Sequence, residues 1–300
     1  MQPQHGTIAS AAARLRSAMS AGGAYGMWSS IPDTSVAELV AGLPYDYVVV
    51  DLQHGVATFT ELPVIAQAMR AAGNAPLVRV PWKDPAQIMR ALDSGACGVV
   101  VPMVSSADEA EAAVSACRFP PVGVRSWGPM WSTVRSDGAL PPAEQDAGAL
   151  CIVMIETAEA IADLDAILAT EGLDGIYIGP NDLALACGFG RGTYRDDPEV
   201  AALIQQIVDA CRAAGVPAGL HCSDPEMGRD WIARGASMVT IAQDTGLIAD
   251  GAREALRQAR GVTDADAYAA AEAADAYAAA EADAAEAAAY AAGKPGSPRP

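Results

Sequence analysis

The chain has 300 residues, 51% of them hydrophobic, and so can bury one large core as a single domain. Its formal charge is −18, and the seven acids after Gly261, set against Lys294 and Arg299, explain less than a third of it. A surface this acidic repels phosphate backbones and argues against a nucleic-acid role, while leaving room for an anionic substrate if the pocket itself holds a cation. The six cysteines (Cys97, Cys117, Cys151, Cys187, Cys211, Cys222) form no CxxC pair, which suits reduced, buried thiols better than a disulfide framework or a zinc site. The N-terminus shows no basic region followed by an apolar core, and no stretch is long enough to span a membrane, so the cytoplasm is the expected compartment.

Taken in chain order, short β-rich runs alternate with Ala-rich helical stretches, each pair using roughly 25–35 residues, as a parallel α/β repeat does. Strands are predicted at residues 24–28, 46–51, 76–80, 98–103, 150–156, 175–178, 217–221 and 237–242. Helices follow at 36–43, 60–72, 85–93, 107–117, 158–169, 199–213, 225–234 and 247–260. Runs such as Val48-Val49-Val50 and Val99-Val100-Val101 are apolar on both faces, as strands buried in a parallel sheet are. Gly73, Gly95, Gly172, Gly215 and Gly235 stand where helices should stop. Eight strand–helix units predict an α/β chain folded as a closed (β/α)8 TIM barrel over residues 1–260. An open doubly wound sheet is the alternative, but no glycine-rich phosphate loop follows the first strand, and Gly188-Phe189-Gly190-Arg191-Gly192 follows a helical turn instead.

Two segments depart from the repeat. Residues 118–149 are long for a helix-to-strand connection, and such length marks a function, an interface or an extra helix. Residues 261–300 form an acidic, Ala-rich tail in which Asp266-Ala-Tyr-Ala-Ala-Ala-Glu272 recurs at 275–281; it is expected to be helical or disordered, with no catalytic role.

Active sites of this fold gather where strands end and βα loops begin. Polar residues at those ends are Trp28, Asp51, Gln53, His54, Arg79, Asp84, Glu156, Asn181, Asp182, His221, Gln243 and Asp244. Glu156 ends the apolar run Cys151-Ile-Val-Met-Ile155, and Asp182 ends the adjacent strand after Gly179-Pro180-Asn181. Two carboxylates so placed repel each other unless a cation lies between them. With two protein oxygens that ion would keep water or substrate oxygens, which suits Mg²⁺ or Mn²⁺, with Co²⁺ possible. The bland alternatives are that Asp182 caps a short helix and Glu156 pairs with an arginine. His54, just past a strand end, could move protons near neutral pH if a carboxylate such as Asp84 orients it; otherwise it is a turn histidine. Arg79 interrupts the apolar strand Leu77-Val-Arg-Val-Pro81 and needs an anion, either from a substrate or from a structural Asp.

The segments Tyr45–Gly55, Leu77–Trp82, Val101–Val104, Gly123–Arg125, Ile155–Thr157 and Ile178–Leu183, in that order, resemble the metal-dependent (class II) pyruvate aldolases, the family of 4-hydroxy-2-oxoheptanedioate aldolase and 2-dehydro-3-deoxyglucarate aldolase. The resemblance runs from about Ala24 to Arg257. It implies Glu156 and Asp182 as metal ligands, and His54 supported by Asp84 as the acid–base group. It also implies Arg79 as the group that stabilises the enolate oxygen. Trp28 and Leu220 would line the pocket, and the Gly179-Pro180-Asn181 turn would receive the substrate carboxylate. Gln53, a further substrate-binding position, stands where better-known members have Glu; Met154 stands where they have Gln, and His221 where an aliphatic residue is usual.

The implied reaction is cleavage or formation of a 4-hydroxy-2-oxo acid, to or from pyruvate and an aldehyde, through a metal-stabilised enolate. No Schiff-base lysine is expected, because Lys83 and Lys294 are the two lysines and neither ends a strand. The rivals are another enolate-forming lyase, citrate-lyase-like, and a non-catalytic 2-oxo-acid binding protein. The expected partners are small molecules and further copies of the chain, assembled by resemblance from dimers into a hexamer, with residues 118–149 at an interface.

Overall fold

A computed structural model describes residues 7–128, 140–190 and 192–261. Eight parallel strands close a barrel in sequence order: β1 (Ala24–Ser29), β2 (Tyr47–Asp51), β3 (Leu77–Arg79), β4 (Gly98–Val101), β5 (Leu150–Ile155), β6 (Gly175–Ile178), β7 (Ala218–His221) and β8 (Met238–Gln243). β1 pairs with β8 to complete the ring, with a shift of register between Gly26 and Met27. Between strands run α2 (Thr34–Ala41), α3 (Leu62–Ala71), α4 (Pro85–Asp93), α5 (Ala107–Cys117), α7 (Ala158–Ala162) with α8 (Leu164–Leu168), α10 (Pro198–Ala214) and α11 (Pro225–Ala233). The expected barrel is therefore the observed one.

Alternation along each strand sorts its side chains into two cores. Val48, Val50, Val78, Val99, Val101, Val153, Ile155, Ile176, Ile178 and Leu220 face outward and pack with the helices. Trp28, Val49, Leu77, Val100, Ile152, Met154 and Tyr177 fill the barrel. Asp33, Asp84, Ser106, Asp197 and Asp224 each accept a backbone N–H at a helix start. At the end of α10, Gly215 takes φ 72°, the left-handed turn that glycine adopts without strain.

Several features differ from the expectation. The helix predicted at 158–169 is two helices meeting at Asp163, whose carboxylate turns away to accept the Ala107 N–H at 2.8 Å and so caps the neighbourhood of α5. An unpredicted helix, α1 (Ile8–Ser20), places Ala11, Ala12, Leu15 and Met19 in the inner core with Ala24, Ala75, Cys97, Leu150 and Met238, all at or just before strand starts. It plugs the N-terminal mouth of the barrel. Its weakly periodic, alanine-rich sequence hides this role. Residues 118–149 do contain an extra helix, α6 (Pro142–Ala147), one of the readings that their length allowed, while 129–139 lie outside the described residues.

The chain divides into two compact units after Gly246, inside α12 (Asp244–Ala259). The second unit is described only as far as Gly261, so the Ala-rich tail lies outside the described residues. All six cysteines are free, and no described helix is long and apolar enough to cross a membrane.

Leu15→Ala should lower the unfolding free energy by about 2–4 kcal/mol, the cost of a cavity left by a buried leucine. Chemical denaturation measures it, and a loss below about 1 kcal/mol would show that α1 does not close the barrel.

Candidate active site

The C-terminal strand ends surround a pocket of about 680 Å³, counting space open to solvent. Its organisation begins with strand parity. Met154 and Glu156, Tyr177 and Gly179, and Gly219 and His221 lie two residues apart, so each pair shares the inward direction of its strand.

On one side Arg79, ending β3, is held by Asp51, ending β2. Nε donates to Oδ1 at 2.9 Å and Nη2 to Oδ2 at 2.7 Å. Oδ1 of Asp51 also accepts the N–H groups of Gln53 and His54, at 3.0 and 3.3 Å. Burial raises the Asp51 carboxyl, but the hydrogen bonds and charge of Arg79 outweigh it and hold the group below its ordinary value. Asp51 thus fixes both the guanidinium and the loop carrying His54. The structural partner considered for Arg79 exists, yet its Nη1 makes no hydrogen bond among the described residues, and the pocket lining includes Arg79.

On the other side Glu156 follows β5 and is almost completely buried. Its Oε1 accepts the N–H of Met103 at 2.8 Å, and Met103 adopts φ 58°, a conformation that costs a non-glycine residue about 1–3 kcal/mol. A clamp holds that strained turn. Lys83 Nζ donates to the Met103 carbonyl at 3.1 Å and to Glu109, while Glu109 Oε2 accepts the Ser105 N–H at 2.8 Å. Ser105 Oγ lies 3.0 Å from Thr157 Oγ1, closing the loop onto the residue after Glu156. Lys83, the lysine near the rim, is therefore committed to shaping the site.

Glu156 does not pair with an arginine, and Asp182 does not cap a helix. Asp182 lies in the first turn of α9 (Pro180–Ala186), whose N-cap Gly179 makes no side-chain cap, and its exposed carboxylate lines the pocket facing Glu156. Burial above all, and then the Asp182 charge, raise the Glu156 carboxyl to about 7 against the lowering effects of the Met103 N–H and Arg79. Gly179 permits the arrangement, since a Cβ there would lie 2.2 Å from Glu156 Oε2. Two hard carboxylate donors facing one solvent-open pocket, one of them resisting ionisation, fit a divalent cation that completes its shell with water or substrate oxygens. Among the described residues no group of three or more His, Cys, Asp or Glu forms a fully protein-built cage.

The remaining expected residues divide. His54 is exposed at the pocket mouth and makes no side-chain hydrogen bond among the described residues. Trp28 is buried in the wall, its ring 5.4 Å from Tyr177, 5.2 Å from His221 and 5.1 Å from the Arg79 guanidinium. Asn181 lines the pocket and accepts the Gly192 N–H at 3.1 Å, tying down the glycine-rich loop. Pro180 is buried beside it.

Three of the expected residues lie outside the pocket lining. Asp84 is exposed outside the pocket lining and spends its carboxylate on the Ala86 N–H at 2.8 Å, because Asp-Pro opens α4; it does not orient His54. Gln53 is tied through its backbone to Asp51, and its side chain does not line the pocket. Leu220 points outward into the helix-facing core, one residue out of phase, and His221 takes the inward position. Asp244, also on the rim, latches β8 to β1 by accepting from Ser29 Oγ, Ser30 N and Ile31 N.

Parallel strands closed in a ring, with paired acids and an arginine at their C-terminal ends, place the chain among the α/β-barrel enzymes, whose active sites lie on that face. The chain belongs to the HpcH/HpaI aldolase/citrate lyase family, whose sequence model matches residues 24–251. It is 37% identical over 234 residues to a hydroxypyruvate/pyruvate aldolase of Rhizorhabdus wittichii, covering 78% of this chain and 92% of that protein. It is 36% identical over 239 residues to a 4-hydroxy-2-oxo-heptane-1,7-dioate aldolase of Salmonella newport, covering 79% and 90%. A crystal structure of a family member from Burkholderia cenocepacia superposes with a TM-score of 0.75 at 29% identity, covering 83% of this chain and 98% of that one. The chain is an aldolase-type carbon–carbon lyase.

Gly179→Ala should displace the Glu156 carboxylate and weaken Mn²⁺ binding by about tenfold or more, with the fold retained, because an added methyl would sit within van der Waals overlap of Oε2. Titration calorimetry reads the affinity; wild-type binding would mean that Glu156 is not held for a cation.

Cation-free protein carries a second signature. The folded Glu156 carboxyl lies at about 7, above its ordinary 4.5, so its protonated form favours the fold. That contribution is complete below about pH 4.5 and is lost as the pH rises through 7. In EDTA, the Glu156→Gln variant should therefore lose less stability than wild type between pH 5 and 8. Equal losses in both proteins would place the titration elsewhere.

Proposed function

We propose that the chain is a divalent-cation-dependent aldolase that cleaves a 4-hydroxy-2-oxo acid to pyruvate and an aldehyde, or runs the reverse addition. The observation that carries this reading is the pair Glu156 and Asp182, which face one pocket with the proton affinity of Glu156 raised. Glu156 and Asp182 would hold the ion, Mg²⁺ or Mn²⁺ before Co²⁺. When bound, it supplies Lewis-acid polarisation of the 2-oxo group.

The chain's own residues account for the remaining chemistry. The Gly179-Pro180-Asn181 wall of the pocket receives the substrate carboxylate. His54, at the mouth, takes the proton of the 4-hydroxyl as the C3–C4 bond breaks and the aldehyde leaves. The electron pair of that bond moves into the C2–C3 unit, and the charge arriving on the 2-oxo oxygen meets Arg79, already fixed by Asp51 and with Nη1 uncommitted. A proton delivered back to C3 gives pyruvate and balances the reaction. Trp28 and Tyr177 exclude water from the inner wall. Exposed Val122, Val124 and Trp127 support assembly of several copies through the segment that starts at Arg118, which light scattering tests.

Pyruvate release from several 4-hydroxy-2-oxo acids, coupled to lactate dehydrogenase, should stop in EDTA and return with Mg²⁺ or Mn²⁺. Turnover indifferent to EDTA would defeat the proposal. His54→Ala should lower kcat by roughly 10²–10⁴-fold while retaining cation affinity. Arg79→Lys should not rescue the enolate step, because Lys keeps the charge but cannot serve Asp51 and substrate with a planar fork. Normal kinetics in Arg79→Lys would reduce Arg79 to a counter-ion of Asp51.

A further inference from the structure

His221 ends β7 with its side chain turned into the pocket, at a position that the mechanism above leaves unused. Its surroundings set its chemistry. Burial first, and then the charge of Arg79, push the imidazole down to about 4 against the opposing effect of Asp51, so the ring is neutral at physiological pH. A neutral imidazole offers one N–H donor and one nitrogen acceptor. Neither ring nitrogen has a hydrogen-bond partner among the described residues, and neither is among the fully buried unpartnered atoms, so both open onto the pocket.

Three neighbouring polar groups are committed elsewhere, whereas Arg79 Nη1 and the carboxylates are reserved for the 2-oxo oxygen and the cation in the reading above. The Tyr177 hydroxyl donates to Thr240 Oγ1 at 2.6 Å, Gln243 Nε2 donates to Ser30 Oγ at 3.0 Å, and Asp51 serves Arg79. Trp28, whose ring meets His221 edge-on at 5.2 Å, has its Nε1–H buried without a partner. An orphaned donor of this kind costs about 1–3 kcal/mol unless a ligand satisfies it. Two rings that carry unclaimed polar atoms thus pack edge to face in a pocket wall that also includes Met154 and Tyr177.

Depth decides which part of a substrate meets them. His54 is exposed at the mouth, whereas His221 is half-buried, set against the buried Trp28 ring of the inner wall. A substrate that presents its 4-hydroxyl to His54 directs its aldehyde portion outward and its three-carbon 2-oxo acid portion inward. We propose that His221, with Trp28 beside it, is a specificity-determining residue that hydrogen-bonds a hydroxyl on C3 of the 2-oxo acid, so that the enzyme selects 3-hydroxy-2-oxo acids over pyruvate. This rests on the aldolase reading for the orientation of the substrate.

Binding separates the two claims. Titration calorimetry with Mg²⁺ and no aldehyde would compare pyruvate with 3-hydroxypyruvate on the full-length protein. The wild type should bind 3-hydroxypyruvate about tenfold more tightly, the worth of one well-made hydrogen bond. His221→Leu should bring the ratio of dissociation constants close to one, and His221→Asn, which keeps a donor and an acceptor, should retain part of it. Equal affinities in wild type, or an undiminished preference in folded His221→Leu, overturns the inference; if His221→Leu does not fold, a His221→Asn ratio already collapsed to one also overturns it. The expected ratios without aldol turnover would support His221 as the hydroxyl-binding residue while overturning the aldolase reading.

Discussion

Much of the upper barrel is organised around a carboxylate that does not favour ionisation where it stands. Raising Glu156 to about 7 corresponds to about 3 kcal/mol of penalty on its charged form, a large share of the stability of an ordinary domain. The fold sustains that penalty with local devices. Met103 gives its N–H from a left-handed turn, Lys83 and Glu109 lock that turn, and Gly179 leaves the space Oε2 occupies. Arg79 could relieve Glu156 directly, but Asp51 holds it by a two-pronged pair on the far wall. Positive charge is thus kept beside the carboxylates without neutralising them, which preserves their demand for an external cation.

Wherever burial is two-sided, the barrel was legible in the sequence. Valine runs such as 48–50 and 99–101 admit few structures other than parallel strands, and glycines at helix ends set the phase of the repeat. The readings that differed have local causes. The helix over 158–169 reads as continuous by composition, and it breaks because the Asp163 carboxylate serves the start of α5, a contact 56 residues away that no local pattern displays. α1 was invisible because half of its buried face is alanine, which fits the narrow mouth of a barrel but carries little hydrophobic contrast.

The site was legible to the extent that strand ends could be counted, and failed where side-chain direction mattered. Glu156, Asp182, Arg79, His54, Asn181 and Trp28 share one pocket because each sits at or just past the end of a strand. Leu220 and His221 are adjacent in sequence and face opposite layers, so a one-residue error moves a side chain from the pocket to the helix interface. The phase could have been taken from Gly219. A side chain there would strike Tyr177 and Met238, which marks 219 and therefore 221 as inward. Asp84 illustrates a different trap, since an aspartate before proline at a helix start is spent on capping before it can serve chemistry.

The inner pocket is rigid for a reason that lies below it. Tyr47 and Tyr177 reach across the barrel to the same Thr240 hydroxyl, at 3.1 and 2.6 Å, and all three are buried. Burial raises both phenols well above their ordinary value, so the network stays uncharged and its hydrogen bonds persist across physiological pH. Trp28 rests on Tyr177, and His221 rests on Trp28, so the positions of both pocket rings trace back to a neutral knot at the barrel axis. His54 and Asp182, by contrast, are exposed and, among the described residues, unbraced by side-chain hydrogen bonds. A fixed floor and an unbraced rim suit an aldolase-type lyase, which holds one part of a small substrate in a single pose while the other enters and leaves from solvent.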